Sequence, residues 1–211
     1  MSKISKIPEP TTERLALYSR PLESLLEDGT VLVSSEKVAE LCGVSPAQVR
    51  KDLAYFGEFG VRGVGYDVRD LLKEIRKILA TDREWTLCIV GMGNLGSALV
   101  ENENFRKRGY RFMAAFDSDP KKIGRKLPCG LTIESPIKIG EVVPVHHIEI
   151  GVITTPRTAA QRVADLLVDA GIKAILNFAP IQVRSKGPCP VENVDFSVKL
   201  ESLAYQLAKI P

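Results

Sequence analysis

Gly91-Met92-Gly93-Asn94-Leu95-Gly96 follows directly on the apolar run Thr86-Leu87-Cys88-Ile89-Val90, and Asp117 lies 21 residues beyond the last glycine. After the glycines, Ser97-Ala98-Leu99-Val100 opens a helix. A second apolar run, Phe112-Met113-Ala114-Ala115-Phe116, then delivers the acid at its end. Strand, GxGxxG turn, helix and acid-tipped strand in this order form the fingerprint of a dinucleotide-binding βαβ unit. The glycines serve three different ends. Gly91 permits the tight turn, Gly93 lets backbone approach a pyrophosphate, and Gly96 lets helix and strand pack closely. The pyrophosphate is held by free N–H groups at the positive end of the helix dipole. A carboxylate at Asp117 accepts from ribose hydroxyls and repels a 2′-phosphate, which selects NAD(H) over NADP(H). Lys121, Lys122 and Arg125 read as a solvated turn after Asp119-Pro120. A glycine-rich turn in a doubly wound protein taking another adenosine ligand is the competing reading.

The 211 residues, 45% hydrophobic, suffice for one or two cores, and a net charge of +3 does not by itself call for nucleic acid. The polar start Met1-Ser2-Lys3-Ile4-Ser5-Lys6 is no signal peptide, and no run of about 18 apolar residues is present, so a cytoplasmic protein without membrane contact is expected. Cys42, Cys88, Cys129 and Cys189 form no CxxC and are expected as free thiols. His146-His147, the sole histidines, lack convergent ligands, and no metal is expected.

The stretch before the fingerprint is long enough for a domain of its own. Thr11 or Thr12 caps a helix carrying Leu15, Tyr18, Leu22, Leu25 and Leu26 at helical spacing and ending near Gly29. A second helix starts at Ser34 or Ser35, buries Val38, Ala39 and Leu41, and stops at Cys42-Gly43. A third begins with Ser45 as N-cap, Pro46 at the first position and Gln48 where a capping box places Glu or Gln. The pair makes a helix-turn-helix held by Val44, Val49 and Leu53. Ala47, Gln48, Arg50, Lys51 and Tyr55 are left outward or at the flanks, where such side chains meet bases and phosphates. A helical hairpin with a solvated basic face fits these residues equally. Gly57 to Tyr66 then reads as a tight β-ribbon with Arg62 near its tip beside Gly63, the wing of a winged helix, where such an arginine can enter a minor groove; a purely structural wing is the competing reading. A helix follows from Val68 to Leu79, burying Leu71, Leu72, Ile75, Ile78 and Leu79. Through Trp85 the chain has 13 Lys/Arg and 14 Asp/Glu, so attraction to phosphate must come from local placement of Arg50, Lys51 and Arg62.

Beyond the second strand, regular order is expected to return at Ile148–Thr154, a strand ending in Thr154-Thr155-Pro156. A helix over Ala159–Ala170 and a strand Ala174–Phe178 follow. Ligands bind beyond the carboxyl ends of parallel strands, making Thr154, Thr155, Pro156 and Asn177 pocket candidates. Thr154 and Asn177 could equally satisfy turn backbone. The tail is helical with an apolar stripe at Leu200, Leu203, Ala204 and Leu207 that needs cover from its own chain or a partner.

Val49-Arg50-Lys51-Asp52-Leu53, Tyr55-Phe56-Gly57, Arg62-Gly63-Val64-Gly65-Tyr66, Cys88-Ile89-Val90-Gly91-Met92-Gly93, Ile175-Leu176-Asn177-Phe178-Ala179-Pro180 and Val191-Glu192-Asn193-Val194-Asp195-Phe196 together resemble the Rex family of redox-sensing transcriptional repressors across nearly all of the chain. The resemblance implies an α/β protein: a winged-helix DNA-binding domain (1–84), a Rossmann-like doubly wound parallel-sheet domain binding NAD(H) (85–190), and a C-terminal domain-swapped helix (191–211). It implies a homodimer on palindromic double-stranded operator DNA when NADH is low, released when NADH displaces NAD⁺. On matching positions it implies DNA contacts at Arg50, Lys51, Arg62 and Gly63; the helix-turn-helix reading adds Ser45, Ala47, Gln48 and Tyr55 to the expected DNA-binding surface. The dinucleotide would be held by Gly91, Met92, Gly93, Asn94, Leu95, Gly96 and Asp117, with Phe196 near the nicotinamide. Arg20 and Asp195 match an interface pair. No residue reads as catalytic: the histidines form a loop pair, and no Lys–Tyr constellation supplies a proton donor for hydride transfer. The alternative is an NAD-dependent dehydrogenase with an accessory N-terminal domain.

Overall fold

The computed structural model describes residues 8–57, 60, 61 and 63–210, the side chain of Glu9 excepted. The chain divides into two units, Met1–Arg83 and Glu84–Pro211.

The first unit is built from α1 (Glu9–Glu27), β1 (Leu32–Val33), α2 (Ser35–Cys42), α3 (Pro46–Ala54), β2 (Tyr66–Asp67) and α4 (Val68–Ile78). Helix α1 has no side-chain cap: Pro8 is the N-cap, and Thr11, expected as a possible cap, is buried instead. Leu15, Tyr18 and Leu22 place one stripe of α1 in a core with Val38, Val49, Leu53, Leu71, Leu72 and Ile75. Pro21 lies inside α1 and has no N–H for the Leu17 carbonyl; the Cys42 thiol, at 3.9 Å, points its weak donor at that oxygen. Helices α2 and α3 start as read, with Ser34 and Ser45 accepting from Lys37 N and Gln48 N. The connecting Gly43 is left-handed (φ 67°). Leu41, expected to be buried, is exposed.

The ribbon differs in its partner. Val61 and Gly65 close a tight turn, and β2 then pairs antiparallel with β1, a strand too short for its alternation to be seen in sequence. Four helices and this small sheet make a winged helix.

The second unit is a six-stranded, wholly parallel sheet in the order β5-β4-β3-β6-β7-β8. Its strands are β3 (Trp85–Val90), β4 (Tyr110–Phe116), β5 (Ile133–Glu134), β6 (Ile150–Ile153), β7 (Ala174–Asn177) and β8 (Val191–Asn193). Between them lie α5 (Asn94–Glu101), α6 (Glu103–Lys107), a 3₁₀ turn Pro136–Lys138 with α7 (Ile139–Val145), and α8 (Arg157–Asp169); α9 (Phe196–Leu207) ends the chain. Alternate residues of β3 enter different cores. Cys88 and Val90 pack with Ile139, Val143, Ala164 and Leu167 of α7 and α8, while Leu87 and Ile89 pack with Val100 of α5 and Ile133. A sheet covered on both faces explains why β3 reads as a continuous apolar run. The Cys88 thiol is fully buried, and desolvation pushes it up to about 12, so it is an inert core group.

In this unit β5, α6, α7 and β8 have no counterpart in the sequence reading. Residues 191–193, assigned to the tail, extend the sheet beside β7. Helix α9 starts at Phe196 and buries none of its residues.

Candidate functional site

The strand order reverses direction between β3 and β6, so the crevice at their carboxyl ends is the topological switch point. There Gly91 has φ 106°, and a Cβ would lie 2.7 Å from the Thr154 carbonyl carbon and oxygen. A Cβ on Gly96 would collide with the Gly91 carbonyl oxygen. At Gly93 no protein atom stands within 4 Å of a built Cβ. Two glycines thus close the turn and the middle one faces away from protein.

Gly93 is the N-cap of α5, and no side chain caps this end, so the first amides of the helix remain available to an anion. Gly93, Asn94 and Leu95 are exposed, whereas Gly91, Met92 and Gly96 are buried. Met92 is engaged elsewhere: its N–H donates to Asp117 Oδ2 at 2.7 Å. Asp117 is only 7% exposed, and its carboxylate also accepts from Asp119 N (2.8 Å) and Lys122 Nζ (3.0 Å). Burial alone would raise this carboxyl; the donors from Asp119, Lys122 and Met92 outweigh it and hold it below its ordinary value. Asp117 therefore braces the fingerprint turn from the end of β4. Lys122, read as a solvated cation, is its ion-pair partner.

From β6, the Thr154 hydroxyl donates to the Gly91 carbonyl at 2.6 Å. Thr155 Oγ1 is buried with no hydrogen-bond partner among the described residues, an orphaned group of the kind a polar ligand satisfies. Pro156 is exposed and N-caps α8. Asn177 is fully buried, donates to the Ala179 and Ile181 carbonyls and to Asn193 Oδ1, and accepts from Ala179 N, which is the turn-satisfying arrangement that the sequence also allowed. It ties β7 to β8 and the following loop. Phe196 stacks on Phe178 just past β7, with centroids 6.3 Å apart and planes at 27°.

In the first unit, α3 presents Ser45, Ala47, Lys51 and Tyr55 at the surface. Gly63 is exposed with φ 81° at the ribbon tip; Arg62 lies outside the described residues. Arg50 is exposed but not idle: Nη1 donates to Ser35 Oγ (2.6 Å) and Glu36 Oε1 (3.0 Å), beside a groove of about 740 Å³ lined also by Gly60, Gly65 and Tyr66. Gln48 makes half of the expected capping box. Its backbone N–H bonds Ser45, but its side-chain Nε2 turns the other way and donates to Asp52 Oδ1 at 2.8 Å.

Asp52 is the residue that the sequence reading passed over. Fully buried, it accepts from Arg14 Nε (2.6 Å), Arg14 Nη2 (2.7 Å), the Tyr18 hydroxyl (2.7 Å) and Gln48. This bidentate ion pair locks α3 onto α1. Desolvation would lift the carboxyl, but the donors from Arg14, Tyr18 and Gln48 hold it below its usual range. The signal available in sequence was its position on the Val49–Leu53 face of α3, opposite Arg14 and Tyr18 at i,i+4 on α1. Arg20 is exposed on α1, and Asp195 is spent as the N-cap of α9, accepting from Ser197 N and Oγ. No cluster of three metal-ligating residues and no helix long and apolar enough to cross a membrane occur among the described residues.

Residues 82–181 match a family model described as "CoA binding domain", named for another adenosine coenzyme, and residues 6–54 match "Putative DNA-binding protein N-terminus". The chain is 54% identical to the redox-sensing transcriptional repressor Rex of Syntrophobacter fumaroxidans over 206 residues, 98% of both chains. It is 44% identical to Rex 1 of Thermotoga maritima, over 97% of both. Among solved structures it resembles RSP in complex with β-NAD⁺ and operator DNA, at 35% identity and a TM-score of 0.91 over 96% of this chain and 93% of that one. RSP in complex with β-NADH matches at 34% identity and a TM-score of 0.87, over 96% and 95%.

Proposed function

The chain belongs to the Rex family of redox-sensing transcriptional repressors, and from that premise we propose how its two units divide the work between them. It is a DNA-binding regulator that responds to the NADH/NAD⁺ balance, and not an enzyme. Residues 1–84 hold operator DNA, with α3 as the recognition helix, Lys51 and Arg50 as its cationic contacts, and the ribbon around Gly63 as the wing. Residues 85–190 hold NAD(H). The exposed amides of Gly93, Asn94 and Leu95 meet the pyrophosphate, Asp117 meets the ribose, and Thr155 offers its unpartnered hydroxyl. Phe196, stacked on Phe178, marks the nicotinamide end.

Within the tail 191–211, β8 completes the sheet and α9 pairs the subunits. Support comes from α9, which buries no residue on its own chain while exposing Phe196, Val198, Leu200, Leu203 and Leu207. A twofold dimer offers two recognition helices to a palindrome.

One observation carries the reading. A single chain joins a winged helix to a parallel sheet with a fingerprint turn at its switch point, and RSP, similar over both units, is seen with β-NAD⁺ and operator DNA. Release requires the DNA-incompetent arrangement of the dimer to bind NADH more tightly than the competent one; equal affinities shift nothing. A 100-fold preference is about 2.7 kcal/mol of coupling. Linkage makes DNA weaken NADH binding by the same factor. Gel-shift titration on the DNA upstream of the chain's own gene, with NADH and NAD⁺ added separately, tests this. Release by NADH alone is expected, and NADH affinity unaltered by bound DNA overturns the switch.

A further inference from the structure

Gln48 sits in the first turn of α3, the part of a recognition helix that meets base edges. A glutamine amide ordinarily turns either end outward, giving a donor or an acceptor as the partner demands. Here the orientation is fixed, with one of the two Nε2 protons engaged. Nε2 lies 2.8 Å from Asp52 Oδ1, and a carboxylate held ionised by Arg14 accepts only from the NH₂ end. Asp52 is itself immobile, being fully buried and gripped by Arg14 and Tyr18. The other end, Oε1, makes no hydrogen bond among the described residues and is not among the buried unpartnered atoms, so it opens to solvent.

We propose that Asp52 sets the polarity of the Gln48 amide, so that Gln48 reads DNA through its carbonyl, recognising a base amino group: adenine N6 or cytosine N4. Phosphate oxygens are acceptors only and give Oε1 nothing to bond. In the major groove guanine and thymine likewise offer acceptors, and only adenine and cytosine carry an amino donor. Gln48 is thus a specificity-determining residue, and Asp52 acts through it as a positioning residue. The proposal rests on the assignment of α3 as the recognition helix.

The test uses the full-length protein on a pool of duplexes with two symmetrically randomised inverted half-sites, selected in parallel by wild type and by Gln48→Met. One position per half-site is expected at which wild type selects adenine or cytosine on the strand facing α3 and the variant selects nothing. At that position, purine in place of adenine, or pyrimidin-2-one in place of cytosine, should weaken wild type roughly tenfold and leave Gln48→Met unaffected. A wild-type preference for guanine or thymine at the variant-sensitive position overturns the proposal. Indifference of the wild type to loss of the amino group does the same, as does a Gln48→Met selection identical to wild type. In that last case Lys51→Ala separates the two failures. If it still weakens binding, the recognition helix stands and the Gln48 assignment alone falls; if it is silent, both fall. Asp52→Asn, where it folds, should free the amide to turn over and broaden the choice at that position alone.

Discussion

The Thr154 hydroxyl donates to the Gly91 carbonyl across 2.6 Å, stitching the end of β6 to the start of the fingerprint turn at the point where strand order reverses. Thr154→Val keeps the volume and leaves that carbonyl without this donor. A loss of about 1–3 kcal/mol in urea unfolding is expected, with weaker NADH binding in fluorescence titration.

The three fingerprint glycines should separate into two behaviours. Gly96→Ala drives a methyl into the Gly91 carbonyl and should prevent the second unit from folding, seen as loss of its thermal transition. Gly93→Ala meets no protein atom within 4 Å, so stability should hold within about 0.5 kcal/mol. Its NADH affinity should nonetheless fall at least severalfold, because the methyl occupies the approach to the pyrophosphate.

Asp52→Ala strands Arg14 and Tyr18 without their shared acceptor. Arg14 keeps 26% of its side chain in solvent, so the cost falls short of that for a fully buried pair, at about 2–3 kcal/mol, which urea denaturation of the full chain should register in the first unit.

The same carboxylate gives acid sensitivity with a definite sign. Its folded-state pKa lies below the ordinary 3.8, so its contribution is fully present above that value and is lost as pH falls below it through the depressed folded value. Asp52→Asn should flatten that acid limb in stability measured against pH. An acid limb identical in variant and wild type would refute the assignment.

Lys122 offsets the charge of Asp117 at 3.0 Å. Lys122→Met leaves the carboxylate uncompensated and should raise the preference for NADH over NADPH severalfold, as read from competing titrations, because a 2′-phosphate meets a stronger repulsion.

Helix α9 supplies a test of assembly. Leu203→Glu with Leu207→Glu alters only residues that are exposed in the single chain. Its stability as a monomer should be nearly unchanged, while sedimentation shows the dimer dissociating and gel shifts show weaker binding to a palindrome.

What could be read in advance follows from length and pattern. The βαβ unit, α1 to α4 and the paired pocket strands have apolar spacing long enough to declare itself. β1, β5 and β8 are two or three residues each and have no period to detect, and α7 contains Gly140 and Pro144, which argue locally against a helix. At the sites, motif spacing located the turn around Gly91 but not the internal engagements of Met92 and Asp117. The internal bonds of Asn177 are equally hidden in sequence, since one of its partners, Asn193, lies 16 residues away on a strand too short to detect. Asp52 was invisible for a related reason: a charged side chain reads as surface until its partners, 38 and 34 residues distant, are folded against it.

The chemistry of that buried cluster has a bearing on what the repressor can hear. The Arg14 guanidinium is pushed up by its bond to Asp52, the Tyr18 phenol is pushed up by burial and the same acceptor, and the Asp52 carboxyl is pushed down. Both histidines of the chain belong to the other unit. None of these three groups changes protonation within several pH steps of neutrality, so the cluster that seats α3 keeps its charges and hydrogen bonds through swings in acidity around pH 7 and yields only well into the acid range.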